Sequence, residues 1–530
     1  MASPTATRFN KLFAERGAAS LVAAGILLSR VAGLFRDSAF AHYLGNSYTA
    51  DAFRAAFRIP NFLQNLFGEG VLSASFIPVY ARLRAEGKHE EASRLAEAIG
   101  ALLALTTSLL VVLGVIAAPW LLELIAPGFH GEKRELTIQL VRILFPGSGL
   151  LVFSAWCLGI LNSHRKFFLS YAAPVIWNLT IIATFLLKGP GAKAAHLATL
   201  VAWGSVLGSA LQFGVQLPVV LKLLSPMQSL IAARSQHVRT VVTNFFPVFV
   251  SRGVVQISAY IDSMLASFLP DGAVAALAYA QTLNSLPVSL FGMAVSAAEL
   301  PAMSSAMGSQ DEIAAALRTR LARGLEQISY FVVPSAMAFL ALGDVVVATI
   351  YQSGIFTERD VRYVWAVLAG SAIGLLASTS GRLYSSTFYA LRDTRTPLRF
   401  AVIRVALTLG LGYLCALPLP VWLGIDRRWG VAGLTLSAGL AGWIEFVLLR
   451  HSLHGRIGRV AFSARYVAKL WVAATLAAAI AVGIRYGVPV HSRILRGIIV
   501  LGPYGLLYFG FTALFGISGV MNRLRLFRKR

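Results

Sequence analysis

The sequence predicts an all-α polytopic membrane protein of about fourteen transmembrane helices. They form two six-helix lobes with a pseudo-two-fold axis along the membrane normal, plus two C-terminal helices. Three observations carry this expectation. The chain has 530 residues, 57% of them hydrophobic and only 13% charged, with a mean hydropathy of +0.70; soluble domains carry roughly 25% charge. Apolar runs of the roughly 20 residues that cross a hydrocarbon core recur from Leu21 to Ile517. The chain also repeats itself.

The candidate spans are 20–43, 52–80, 95–118, 137–161, 169–188, 194–222, 240–268, 273–303, 322–346, 362–389, 398–418, 430–450, 465–486 and 494–518. The net charge of +24 would suggest nucleic acid in a soluble protein. Here it sits in short loops, where it sets orientation, and no nucleic-acid partner is expected. Arg82, Arg84 and Lys88, then Arg165 and Lys166, Arg234 and Arg239, Arg318 and Arg320, Arg392 and Arg395, and Arg456 and Arg459 occupy alternate loops. They share one side if the span count is even and both termini are cytoplasmic. Lys133, Arg134, Arg427 and Arg428 are exceptions. The basic N-terminus is expected to stay uncleaved, because Arg30 and Arg36 follow without an A-x-A site. Cys157 and Cys415 lie in apolar runs and read as small buried hydrophobes.

Asp37-Ser-Ala-Phe-Ala-His-Tyr-Leu44 resembles Asp262-Ser-Met-Leu-Ala-Ser-Phe-Leu269, and Leu66-Phe-Gly68 matches Leu290-Phe-Gly292. Two matches at nearly one offset indicate a duplication. The division expected is 1–224, 225–455 and 456–530: two lobes, then two extra helices with a basic tail. Residues 224–240 read as the connector, and a site is expected near the midplane between the lobes.

Charge within a span is costly, so it faces a partner or water. In the second span Asp51, Arg54, Arg58, Asn65 and Glu69 fall on one helical stripe, with Pro60 a place to kink. The first span carries Arg30, Arg36 and Asp37, with Gly33 a possible bend. Two readings of the arginines stand. They form an internal salt-bridge set with Asp37, Asp51 and Glu69, or they line a cavity that binds a pyrophosphate through bidentate contacts. The second lobe has Arg252, Asp262, Glu299, Arg382, Arg404 and Glu445. Asp262 could hold Na⁺ or H⁺, or pair with Arg404; Arg142 and Glu445 read as snorkelling near span ends. No G-x-x-x-x-G-K-[ST] loop, metal-ligand cluster or nucleophile–base motif is present. The chain reads as a secondary-type transporter rather than an enzyme, without metal or cofactor.

Ser29-Arg-Val-Ala-Gly-Leu-Phe-Arg-Asp37, Ala50-Asp-Ala-Phe53, Phe57-Arg-Ile-Pro-Asn61, Phe67-Gly-Glu-Gly70 and Ser75-Phe-Ile-Pro78 resemble the opening of the MurJ (MviN) lipid II flippases, of the MOP exporter superfamily. Ala390-Leu-Arg-Asp-Thr-Arg-Thr-Pro397 resembles the family's second-lobe loop. The resemblance implies a central cavity, alternating access in the bacterial inner membrane, and transfer of the undecaprenyl-pyrophosphate-linked peptidoglycan precursor to the periplasmic leaflet. Carried over by position, the substrate-binding residues are Arg30, Arg36, Asp51, Arg58 and Glu69. Cell-wall synthesis machinery is a possible partner, and Na⁺, H⁺ or the membrane potential a possible drive. There are departures. Thr282 and Ser285 stand where some members have Arg and Glu, Gln64 where some have Arg, and Arg404 where an Asn is frequent. An Arg404 facing Asp262 would replace a bound Na⁺. The alternatives are a flippase for another polyprenyl-linked glycan, a MATE-like exporter, a membrane-embedded glycosyltransferase and a scaffold. The absence of a large outer loop opposes the glycosyltransferase, and the charged stripe opposes the scaffold.

Overall fold

The computed structural model describes residues 4–224, 236–305, 308–488, 490 and 492–517, with side chains described over these except 4–23, 69–70 and 246–259. Every regular element among them is helical. The first are α1 (Pro4–Leu44), α2 (Tyr48–Phe67), α3 (Glu69–Ser75), α4 (Ile77–Ala85), α5 (His89–Ile116), α6 (Ala118–Ile125), α7 (Gly131–Ser163), α8 (Phe167–Lys188), α9 (Ala194–Leu223) and α10 (Gln236–Ser267). Then come α11 (Ala273–Pro287), a π-turn (Val288–Met293), α12 (Ala294–Ser304), α13 (Gln310–Ala341), α14 (Gly343–Tyr351), α15 (Glu358–Ile373) and α16 (Leu375–Ala390). The last are α17 (Arg395–Ala416), α18 (Pro418–Trp422), α19 (Gly430–Ile457), α20 (Ala464–Gly487) and α21 (Arg493–Leu514). A chain in hydrocarbon must satisfy its backbone internally, and helices do so within each segment.

Among the described residues nine helical stretches are long and apolar enough to span a membrane. The number is eleven when the bent pairs α13–α14 (82°) and α15–α16 (41°) each count as one span. The difference from fourteen falls on the expected spans 20–43, 52–80 and 240–268. The first and third lie on α1 and α10, whose side chains are only partly described. The second carries Asp51, Arg54 and Arg58. The lipid-facing character of the apolar helices is visible on α5, where exposed Leu105, Leu109, Val112 and Ile116 recur along one stripe.

The second span departs from expectation. Its helix runs through Pro60 and breaks instead at Gly68, where the backbone turns extended (φ −83°, ψ −153°). A Cβ at Gly68 would collide with the carbonyl oxygen of Gln64, so only glycine allows this close approach. The other member of the repeated Leu-Phe-Gly pair lies in the π-turn after Pro287. Proline has no N–H to give and crowds the preceding turn, which shifts the hydrogen-bond ladder. Both copies of the repeat therefore mark a helix interruption.

The chain forms two compact units, Met1–Met264 and Leu265–Arg530. The cut falls within α10 rather than at residue 224, and the last two helices belong with the second unit. Both shifts have physical reasons. Val238 and Val241, at the start of α10, enter the first unit's core beside Leu95, Ile99, Trp156 and Cys157. In the second unit Pro334 removes an N–H from α13 and so releases the carbonyl of Tyr330. The Tyr508 hydroxyl of α21 donates to that carbonyl at 2.6 Å, and Tyr504 donates to the carbonyl of Pro334 at 2.7 Å. The proline gap is thus the docking point for α21.

Tyr508→Phe leaves the Tyr330 carbonyl buried without this donor. We expect it to cost about 1–3 kcal/mol and to lower the detergent melting temperature, whereas Tyr486→Phe, on the exposed end of α20, leaves it unchanged. A second expectation concerns His164, in the turn between α7 and α8, with Nε2 3.0 Å from the Tyr80 hydroxyl. Burial, with Arg84, Lys166 and His89 nearby, pushes its imidazole down to about 4. The unfolded chain takes up this proton near 6.5 and the folded chain resists it, so stability falls as pH drops from 6.5 toward 4. Melting temperature against pH should flatten over that window in His164→Gln.

Candidate binding cavity in the first unit

α1, α2, α7, α8 and α9 enclose two adjoining polar cavities. One, of 390 Å³, is bordered by Ser29, Gly33 and Arg36 of α1, Asn61 and Gln64 of α2, Trp177 and Asn178 of α8, and Gln212 of α9. The other, of 480 Å³, is bordered by Gln64, Asn65, Ser73, Ser154, Ser170 and Gln212. Gln64, Leu151, Pro174 and Gln212 belong to both walls, so the two lie side by side. Polar groups line it because they are tied to one another: Gln212 Nε2 donates to Ser154 Oγ (2.8 Å), which donates to Gln216 Oε1 (2.7 Å).

Arg36 is the charged residue of this wall. Its Nη2 lies 3.0 Å from Asp37 Oδ1, and its Nη1 donates to Asn178 Oδ1 at 3.1 Å. Asn178 is itself oriented by donating Nδ2 to the carbonyl of Pro174 (3.0 Å), and the guanidinium lies 5.1 Å from the Trp177 ring centre. Asp37 is 1% exposed and also accepts from Arg54 Nη1 at 3.3 Å. One carboxylate is therefore shared by two guanidinium groups. α1 runs unbroken past Gly33. No atom lies within 4 Å of where its Cβ would stand, so this glycine leaves cavity space.

The other expected residues divide. Arg30 is half-exposed, and among the described residues its side chain makes no hydrogen bond or ion pair. Asp51 borders neither cavity: it is fully buried and holds Lys133 Nζ of α7 at 2.6 Å, with Lys133 also 4.1 Å from the Phe129 ring centre. It sits in the first turn of α2, where a negative charge suits the helix end. Arg58 accepts a hydrogen bond from the Tyr260 hydroxyl at its carbonyl (2.9 Å), and the Asp262 carboxylate attracts its guanidinium. Glu69 lies beyond the Gly68 break, off the α2 stripe, and its side chain is outside the described residues. In the second unit Arg404 pairs with Glu445 at 3.3 Å. Glu445 is thus an ion-pair member, its side chain 15% exposed, and not a snorkelling group. Arg252 lies outside the described side chains.

Arg36 thus meets both expectations at once, with an acid on one side and open cavity on the other. Sequence reasoning missed three participants. Arg54 was legible as a stripe member, Lys133 as an exception to the loop-charge pattern, and Asn178 only as a polar residue in an apolar run.

The family model described as Lipid II flippase MurJ matches residues 40–493. The chain is 33% identical over 438 residues to a lipid II flippase MurJ of Burkholderia cenocepacia, covering 81% of this chain and 82% of that protein. It is 32% identical over 440 residues to a probable lipid II flippase MurJ of Bdellovibrio bacteriovorus, covering 81% and 80%. Its fold is similar to a solved lipid II flippase MurJ in an inward closed conformation, with a TM-score of 0.77, 25% identity, and coverage of 94% and 99%. An inward-facing multidrug MATE transporter of the MOP superfamily shares the fold alone, at a TM-score of 0.64 and 17% identity over 81% and 95% of the two chains.

The Lys133–Asp51 pair makes a direct test of its structural role. Lys133→Met removes the cation 2.6 Å from a buried carboxylate, and we expect a loss of about 3–5 kcal/mol in stability. The double variant Lys133→Met/Asp51→Leu should recover most of it. Thermal unfolding of the purified proteins compares the two.

Proposed function

The chain belongs to the MurJ family of lipid II flippases, and on that premise we propose that it carries lipid II from the cytoplasmic to the periplasmic leaflet by alternating access. In this reading the chain lies in the bacterial inner membrane with both termini cytoplasmic and works alongside cell-wall synthesis machinery. The observation that carries the proposal is Arg36 on the wall of a polar cavity, beside an acid, Asp37, that it shares with Arg54.

The headgroup of lipid II bears a pyrophosphate and a polar sugar-peptide. Moved through hydrocarbon unpaired, that charge would cost tens of kcal/mol. A hydrated cavity with a guanidinium on its wall lowers this cost by solvating the head and offering N–H groups to the phosphate oxygens. Arg30, half-exposed on the same helix, adds a second positive charge on the way in. Sharing one acid also keeps Arg36 from being locked in a closed pair, so the substrate's oxyanion can compete for it. The polyprenyl tail stays in lipid. Na⁺ or H⁺ gradients could couple to the cycle through Asp262. The membrane potential acts on any net charge that moves, at about 2.3 kcal/mol per charge per 100 mV, and no bound cofactor is required.

Expression in cells depleted of their own lipid II flippase tests this. The parent chain should restore growth and prevent lipid II accumulation. Arg36→Ala and Arg30→Ala should reach the membrane at parental levels and fail to do either. A parent chain that inserts normally and gives no rescue would overturn the proposal.

A further inference from the structure

A second group of charges lies within the membrane-spanning part of the second unit, on α16, α17 and α19. Arg404 Nε holds Glu445 Oε2 at 3.3 Å. Arg382 is close enough to be repelled by Arg404 and attracted by Glu445. Counted from the helix ends that share one side, at 1.5 Å per residue, Arg382 is about 12 Å inside, Arg404 about 14 Å and Glu445 about 18 Å. In a hydrocarbon core of about 30 Å the three stand at one depth, near its middle.

Two cations and one acid leave one positive charge. Arg382 is exposed, and among the described residues its guanidinium has no hydrogen-bond partner. It belongs to a polar stripe of α16 formed by Ser378, Arg382, Ser385 and Tyr389, at spacings of four, three and four. Lipid cannot solvate an exposed guanidinium at this depth, so the stripe faces water and is open to a ligand. Thr282 and Ser285 offer no charge of their own. Thr282 Oγ1 donates to the carbonyl of Ala278 (3.1 Å) and Ser285 Oγ to that of Thr282 (2.8 Å), so both hydroxyls turn onto their own helix.

We propose that Arg382 and Arg404, held at one net positive charge by Glu445, form an oxyanion subsite of the second unit that takes a phosphate or a peptide carboxylate of the transported lipid's headgroup. The subsite rests on the flippase reading above and adds to it the moiety recognised by this unit. It supplies the charge that Thr282 and Ser285 do not. Glu445 orients Arg404 and sets the balance: one surplus charge grips an oxyanion, whereas two uncompensated guanidinium groups would hold it more tightly than release allows.

The test uses the full chain in nanodiscs of zwitterionic lipid, with binding of lipid II and of undecaprenyl pyrophosphate measured separately. Arg382→Ala should weaken lipid II binding about tenfold or more, the loss expected for a charge-assisted hydrogen-bonded contact. Adding Glu445→Gln to that variant frees Arg404 and should restore most of the affinity, a rescue that a merely structural role for Arg382 does not produce. Equal weakening toward undecaprenyl pyrophosphate identifies the phosphate as the bound oxyanion. Weakening toward lipid II alone identifies the carboxylate. Should the alanine variant fail to fold, Arg382→Gln, which keeps the stem and a donor, takes its place. A folded Arg382 variant that binds lipid II as tightly as the parent, while Arg36→Ala has lost it, would overturn the subsite and leave the flippase reading standing. A parent that binds neither lipid would overturn both.

Discussion

Asp37, almost wholly buried, accepts hydrogen bonds from both Arg36 and Arg54, and this sharing ties the end of α1 to α2. A carboxylate this deep needs its cations, since removing one partner of a buried pair is far more costly than never having had the pair. Asn178 and the Trp177 ring add contacts around Arg36, and the Phe40 ring lies against Arg54. Arg36 also borders the cavity, so the group that stabilises the buried acid is the one an incoming anion would meet.

The internal duplication gives this charge pattern a second layer. Asp37 and Asp262 occupy matching places in the repeat, and both act on arginines of α2: Asp37 on Arg54, Asp262 on Arg58. The two copies of the motif thus each set an acid beside an arginine of one helix. In the second unit two arginines meet one acid again, with Arg382, Arg404 and Glu445, although none of these occupies the repeated motifs.

Much of the fold was legible because lipid imposes a simple rule: an apolar run of sufficient length must satisfy its own backbone, and helix is the way to do it. Hence the apolar stretches from α5 onward lie where their sequences place them. The interruptions were less legible. Pro60 drew attention as a kink, yet the helix passes through it, and the break comes at Gly68, where a close carbonyl approach excludes any side chain. Partnership was the least legible. That Asp51, Arg54 and Arg58 share a stripe of α2 follows from spacing within one helix. That Asp51 belongs to Lys133 and Arg404 to Glu445 depends on how helices distant in sequence pack. The division into units shows the same limit: the connector at 224–240 is visible as polar sequence, but Val238 and Val241 bind the following helix into the first core.

The π-turn at Val288–Met293 bears on how this chain can change. A π-turn holds one residue more than an α-helical turn, so it takes up one extra residue between α11 and α12. Deleting a single residue there would return the ladder to ordinary α-helix while α12 keeps its facing, because the wider turn is what absorbs the extra length. Glu299 would then still meet Arg320, as it does now at 3.3 Å. A deletion within α12 itself has no such turn to absorb it and would rotate all that follows by about 100°. The segment Val288–Met293 is thus where this helix can change length without changing which side faces its neighbours.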